Sequence, residues 1–280
     1  MKNKRFAKLA LIISPIVSLA SCNLPSIASA DPGENGDYAP EGYNLYWSDE
    51  FDGDSLNLDY WSYEHGNNNG WGNQEAEYYT NKNDAVRDGN LVITAKRESV
   101  HNGQYNYTST RIKTAGKVKT TYGYICARIK LPAVTGMWPA FWMMHESGWW
   151  PYSGEIDIME NKGREESKTS SACHFNQNGT HAQFNHTGNI GSIEDYHVYA
   201  VEWTEERIAF SVDGKKHLKK SKEAWNTDYN GTNGPFDKDF YIILNLAVGG
   251  LFDGHALPPE SWESSEMLVD YVRIYKAGEK

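Results

Sequence analysis

Residues Glu155-Ile156-Asp157-Ile158-Met159-Glu160 constrain this chain more than any other stretch, because they set three carboxylates within six residues of apolar character. Asp and Glu are depleted from strand interiors, and burying a charge is expensive without compensation. The neighbours nonetheless read as strand: Ile156, Ile158 and Met159 are apolar, and the apolar run from Gly136 to Met144 lies just upstream. Side chains alternate along a strand, so Glu155 and Asp157 share one face and Ile156 and Ile158 the other. Strict alternation would leave Met159 beside the acids and Glu160 facing away. A one-residue β-bulge at Ile158-Met159 returns Glu160 to the acidic face. The three Cα atoms then span roughly 13 Å at about 3.3 Å per residue, and leaning Glu side chains bring the carboxyl groups closer.

Two carboxylates about 5–5.5 Å apart are what a retaining glycosidase uses, one as nucleophile and one as acid/base. A third between them can share a proton with the nucleophile and keep the charge states of the pair apart. The competing readings of the same string are an acidic, solvated strand face and a Ca²⁺ site.

The flanks decide between these readings. The run MWPAFWMMHESGWWPYSGEIDIMEN resembles the active-site region of glycoside hydrolase family 16, in the bulged form of the laminarinases, the endo-1,3-β-glucanases. YWSDEFDGDSLN, GWGNQEAEYYT, NLVITAKRE, YTSTRIKTAGKVKTTYGYICARIKLP, YHVYAVEWTEERIAFSVDGK, FYIILNLAVGG and MLVDYVRIYK are similar to further family segments, in family order. Together they cover about residues 43–276. The resemblance implies an all-β jelly-roll sandwich with the substrate cleft across its concave sheet. It implies Glu155 as nucleophile, Glu160 as general acid/base and Asp157 as assisting acid. Trp138 and Trp142, four apart in a strand-like run and therefore on one face, are implied as sugar-stacking walls rather than core. Asn73, Glu75 and Arg111 match positions that contact sugar hydroxyls on the non-reducing side, with Trp71 at the same end, although a surface salt bridge is the ordinary role of such an arginine. His174 matches a histidine near the leaving group, an auxiliary rather than an acid/base. A structural Ca²⁺ on the convex face is implied at Glu50, the Gly89 backbone and Asp270, whose oxygens suit that ion; catalysis itself requires no cofactor. The chain departs from the family at SACHFNQNGTHAQFNHTG, which matches the usual laminarinase segment poorly.

The N-terminus is a targeting segment. Lys2, Lys4, Arg5 and Lys8 precede a short apolar run, Leu9 to Ala20, too short to span a bilayer as a mature helix. Leu19-Ala20-Ser21-Cys22 resembles a bacterial lipobox in which a lipidated Cys22 becomes the mature N-terminus; Ala28-Ser29-Ala30 offers an ordinary secretory cleavage site instead. Residues 1–21 are therefore expected as signal peptide, 22–42 as a flexible tether rich in Pro, Gly, Ser and Asn, and 43–277 as the catalytic domain. The product is exported, either as a cell-envelope lipoprotein or in secreted form, and contacts a membrane only through Cys22.

Composition adds exclusions. Loss of residues 1–21, with four basic and no acidic groups, takes the formal charge from −10 to −14. Such a chain is repelled by nucleic acid and anionic polysaccharide and suits neutral glucans. Ten Trp, eighteen Tyr and nine Phe fit a carbohydrate cleft, though strands favour aromatics in any case. Beyond Cys22 only Cys126 and Cys173 remain, too few for a disulfide scaffold and without zinc spacing. Cys126 is expected as buried apolar filler, and the two are expected not to pair.

Short alternating runs recur after Tyr43, clearest at Leu91–Ala95, Tyr122–Ile129, His197–Trp203, Ile208–Val212, Tyr241–Leu246 and Leu268–Tyr275. Asp213-Gly214 signals a hairpin. No long helical period and no repeat appears, which indicates a β-sandwich. The expected activity is hydrolysis of internal β-1,3-glucosidic bonds by a monomer. Mixed-linkage β-1,3-1,4-glucan is the near alternative. A non-catalytic glycan-binding jelly roll is the alternative of a different class, and it would have no need of both Glu155 and Glu160.

Overall fold

The computed structural model describes residues 36–225 and 234–278. The expected signal peptide, Cys22 and most of the expected tether lie outside the described residues. Two sheets face each other, antiparallel throughout except for the parallel edge pair Tyr78–Tyr79 with Tyr105–Ser109. The back sheet runs β16 (Lys215–Ser221), β15 (Arg207–Val212), β14 (His197–Trp203), β9 (Gly123–Lys130), β18 (Ser264–Ala277), β5 (Asn90–Val100), β6 (Tyr105–Ser109) and β3 (Tyr78–Tyr79). To it, β1 (Tyr43–Asp49) adds on β18 and β4 (Asp84–Arg87) on β5. The front sheet runs β13 (Thr180–Asn189), β12 (Lys168–Gln177), β11 (Glu155–Glu160), β10 (Met137–His145), β17 (Phe240–Val248), β7 (Arg111–Lys113) and β2 (Ser62–Glu64), with β8 (Lys119–Thr120) on β17. This is the expected jelly-roll sandwich. Among the described residues, no helix is long and apolar enough to cross a membrane.

Alternation builds the core. In β10, Met137, Phe141 and Met143 are fully buried between the sheets, while Trp138 and Trp142 turn to the opposite face. Ile156, Ile158 and Met159 of β11 join them, as do Ile242, Leu244, Leu246 and Val248 of β17. Fully burying one such side chain contributes about 1.5–3 kcal/mol. Asp213 and Gly214 both take positive φ, 48° and 71°, the two-residue turn expected between β15 and β16. Cys126 and Cys173 are free, buried and on different sheets, as expected.

Two expectations need correction. Residues 36–42, assigned to the tether by composition, are docked on the back sheet. Asp37 is buried, its carboxylate accepts from Arg273 and Tyr275, and its carbonyl accepts from the Tyr124 hydroxyl. The calcium ligands are also engaged otherwise. Glu50 takes two hydrogen bonds from Arg273, at 2.9 and 2.8 Å, and Asp270 accepts from Arg128 at 2.6 Å. Carboxylates already neutralised by guanidinium groups do not fit a Ca²⁺ site built on Glu50, Asp270 and the Gly89 carbonyl.

Candidate active site

The acid strand carries the expected bulge. On β10, Phe141 faces Met159 and Trp142 faces Asp157, so Ile158 has no counterpart. On β12, Ala172 faces Asp157 and Ser170 faces Glu160, leaving one residue opposite both Ile158 and Met159. Consecutive apolar side chains therefore enter the core, and Glu155, Asp157 and Glu160 all reach the open face of the front sheet. They line a cleft of about 780 Å³.

Register places the acids in three rows that cross the strands. Glu160 lies between Ala140 and Ser170, Asp157 between Trp142 and Ala172, and Glu155 between Met144 and His174. Trp138 Nε1 donates to Glu160 Oε1 at 3.0 Å. Phe252 stacks on the Trp138 ring at 4.9 Å and 23°. Gly250 permits that approach: its φ is +88°, and a Cβ there would lie 2.9 Å from Trp138 Cζ3.

Burial dominates the electrostatics. Desolvation, then the charge of Asp157, pushes Glu155 up to about 8. Desolvation, then the charge of Glu155, pushes Glu160 up to about 7, against the Trp138 hydrogen bond that favours its anion. Asp157, 3 % exposed, is held well above the usual carboxylate range by burial and by Glu160. Glu155 and Asp157 share a hydrogen bond. Three carboxyls this close cannot all be ionised at neutral pH, so protons are held in common and the titration steps belong to the group as a whole. His174 Nε2 lies 3.3 Å from Asp157 Oδ2, and its Nδ1 lies 2.9 Å from His181 Nε2. Ligand atoms of Glu155, Asp157 and His174 fall within 4.8 Å of one another, a spacing that serves a shared proton as well as a cation.

On the β17 side, the expected sugar-contact residues converge. Arg111 is sandwiched between Trp71, 4.4 Å from its guanidinium carbon, and Trp142 at 4.8 Å. Its Nε donates to Glu64 Oε2 at 2.5 Å, and both groups are largely buried, so this is no loose surface ion pair. A chain of hydrogen bonds fixes the rest. Trp142 Nε1 donates to Asn245 Oδ1 (2.8 Å), Asn245 Nδ2 to the Tyr79 oxygen (3.2 Å), and the Tyr79 hydroxyl to Glu75 Oε2 (3.0 Å). Beneath it, fully buried Glu77 accepts from the Val248 amide at 2.6 Å, and burial together with Glu75 raises its carboxyl well above the ordinary range. Asn73 is exposed at the rim, 3.5 Å from Glu75 Oε1.

Sequence reasoning missed Asn245, Phe252, Trp150 and the β13 residues that also line the cleft. For β13 the signal was present: His181, Gln183, Asn185 and Thr187 recur at period two.

Comparison with known proteins agrees with this geometry. The model of the glycosyl hydrolases family 16 matches residues 72–273. A glucan endo-1,3-beta-glucosidase A1 from Niallia circulans is 40% identical over 87% of this chain, which spans 39% of that protein's length. A beta-glucanase from Rhodothermus marinus is 38% identical over 87% of this chain and 88% of its own. The laminarinase catalytic domain of Thermotoga maritima superposes with a TM-score of 0.78 at 36% identity, covering 85% of this chain and all of that one. The chain belongs to family 16 of the glycosyl hydrolases.

Proposed function

We propose that this protein is an endo-β-glucanase that hydrolyses internal β-1,3-glucosidic bonds of laminarin-type glucans with net retention. The observation that carries the reading is the bulged strand that turns Glu155, Asp157 and Glu160 to one face of the cleft. In the first step, ionised Glu155 attacks the anomeric carbon while protonated Glu160 gives its proton to the departing glycosidic oxygen. Asp157 holds the shared proton toward Glu155, which lets the nucleophile carry charge in a buried site. In the second step, Glu160 takes a proton from water, the water oxygen attacks the anomeric carbon, and the ester bond to Glu155 breaks. The Trp138 hydrogen bond fixes Glu160 for both roles.

Relatives with endo-1,3 activity in their names favour β-1,3 linkage. Export through residues 1–21 and anchoring at Cys22 belong to the same proposal and rest on the sequence. Chain-length analysis of products from laminarin, lichenan, barley glucan and agarose tests the substrate. Oligosaccharides from laminarin, with β-anomers observed first by NMR, are expected. Faster cleavage of lichenan than laminarin would assign mixed-linkage glucan instead, and α-anomers would remove retention. Membrane partitioning of the parent and Cys22→Ala in a lipoprotein-processing host tests the anchor, which equal partitioning overturns.

A further inference from the structure

Glu75-Ala76-Glu77 repeats, on the β17 side of the cleft, the spacing of Glu155 and Asp157, two acids two residues apart. Resting on the glucanase reading, we propose that Glu77 is a positioning residue: its carboxyl keeps a proton on Oε1 and gives it to Glu75, which fixes Glu75 as an acceptor-only carboxylate for a glucan hydroxyl in the cleft.

Hydrogen-bond directions around Glu75 require such a donor. Trp142 Nε1 can only donate, so Asn245 turns Oδ1 to it and Nδ2 to Tyr79. The Tyr79 oxygen therefore accepts, and its one proton goes to Glu75 Oε2. The whole chain of donors ends on Glu75. Glu77 lies against the same group. Its Oε2 accepts from the Val248 amide at 2.6 Å, whereas its Oε1, buried, takes no bond from any donor among the described residues. The two carboxyls are hydrogen-bonded to each other, and two carboxyl groups can do that only with a proton between them. Arg111, whose charge acts on Tyr79, is already paired with Glu64 and does not neutralise Glu77. Glu75 lines the cleft and takes the Tyr79 hydroxyl, while Glu77 is 0% exposed, so the proton belongs to Glu77. Burial and the charge of Glu75 act in the same direction, favouring the neutral form of Glu77.

The backbone keeps the pair together. Asn67 Nδ2 donates to the carbonyls of both Glu75 and Glu77, at 3.0 and 2.8 Å. The Ala76 amide donates to the Val248 carbonyl at 2.9 Å, and Glu75 forms a bridge with Gly249. Glu77 thus closes the end of β17 with one oxygen. An acid that served only to close the strand would need nothing from the other oxygen, which instead faces a residue of the cleft wall.

Two substitutions and one spectrum test this. Gln at position 77 imitates the protonated acid, because its carbonyl can accept from Val248 and its amide can donate to Glu75. Leu fills the space and offers neither. With laminari-oligosaccharides, Glu77→Leu should raise KM about tenfold while kcat changes less than about threefold, and Glu77→Gln should restore KM to within about threefold of the parent. The infrared difference spectrum of the parent minus Glu77→Gln, at neutral pH, should contain the carbonyl stretch of a protonated carboxylic acid. That band needs no substrate and no Leu variant that folds. A carboxylate band in its place would show Glu77 ionised and overturn the proposal. So would a tenfold rise in KM in Glu77→Gln, or a parental KM in Glu77→Leu. A parent that cleaves no laminari-oligosaccharide overturns the glucanase reading, and the infrared band then decides separately where the proton lies.

Discussion

The Ser171 hydroxyl donates to the Ile158 carbonyl across 2.7 Å, inside the core and directly beneath the acid row. Ile158 is the residue that the bulge leaves without a ladder partner on either neighbouring strand. His217, on the edge strand β16 of the opposite sheet, brings Nε2 to 3.1 Å from the same hydroxyl. Since the Ser171 proton points at Ile158, His217 must donate from Nε2. Its Nδ1, which has no hydrogen-bond partner among the described residues, is then the unprotonated nitrogen. Burial, then His186, pushes the imidazole down to about 4, which keeps it neutral in this role.

Ser171→Ala should therefore loosen the bulge. Leaving a buried carbonyl unsatisfied costs about 1–3 kcal/mol, measurable by denaturant unfolding. Displacement of Glu160 should hurt a poor leaving group more than a good one. Turnover of laminarin should fall more than turnover of an aryl laminaribioside. His217→Gln, which retains an N–H donor, should be milder than His217→Leu. Equal losses on both substrates would make Ser171 a stability residue only.

The pH profile of kcat/KM should be bell-shaped. Glu160 must hold its proton in the first step, and its pKa is raised to about 7. Activity should therefore fall as pH rises through about 7. On the acid side, activity should fall as Glu155, raised to about 8 in the same coupled group, takes up its proton, so that only the fraction with Glu155 ionised and Glu160 protonated turns over. Glu160→Ala should lose the alkaline limb on an aryl substrate, and azide should yield a β-glycosyl azide. An alkaline limb that survives in Glu160→Ala would remove that residue from the acid role.

Glu155→Gln should abolish turnover yet stabilise the fold at high pH. The folded-state pKa of Glu155, about 8, lies above its ordinary value of 4.5. The folded state thus binds more protons than the unfolded chain between these values. The associated stability is complete below the lower value and is lost as pH rises through the upper one. Removing the carboxyl removes that loss. At pH 8 the variant should melt several degrees above the parent, and the gap should close by pH 4. A gap that does not change with pH would place the effect outside this titration.

Much of this was legible in the chain because the signals were local. The bulge followed from three acids that had to share a face, and the strands followed from alternation. Trp138 and Trp142 shared a face by counting alone. What escaped was nonlocal. Asp37 looked like tether because Arg273 and Tyr275, which bury it, lie more than 230 residues away. The calcium ligands came from the family resemblance, while the arginines that engage Glu50 and Asp270 sit on other strands of the folded sheet. Asn245 looked like one polar residue in an apolar strand. Only folding shows that it joins Trp142 to Tyr79.

Arg111→Lys should show that a flat cation is required between Trp71 and Trp142. An ammonium retains the charge but loses the planar stacking and the fixed fork toward Glu64. Stacked contacts of this kind contribute about 0.5–2 kcal/mol each, so KM for laminari-oligosaccharides should rise roughly tenfold with a smaller change in kcat. Unchanged KM would show that charge alone is sufficient.

Deleting Met159 tests the bulge as geometry rather than chemistry. Without it, Glu155, Asp157 and the following Glu alternate onto one face with no extra residue, and the strand regains regular pairing with β10 and β12. Met159 is fully buried opposite Phe141, so the deletion also opens a cavity expected to cost about 2–5 kcal/mol. Met159→Leu separates the two effects, because it keeps the bulge and most of the volume and should cost less than about 1.5 kcal/mol. Ser171, which lies opposite the bulge, would lose its carbonyl partner, and the acid/base would move along the strand relative to Trp138 and the scissile bond. Laminarin turnover should therefore fall about tenfold or more in the deletion, beyond what its lower stability explains, and stay near parental in Met159→Leu. A folded deletion variant with parental turnover would show that the spacing of Glu155 and Glu160 does not depend on the bulge.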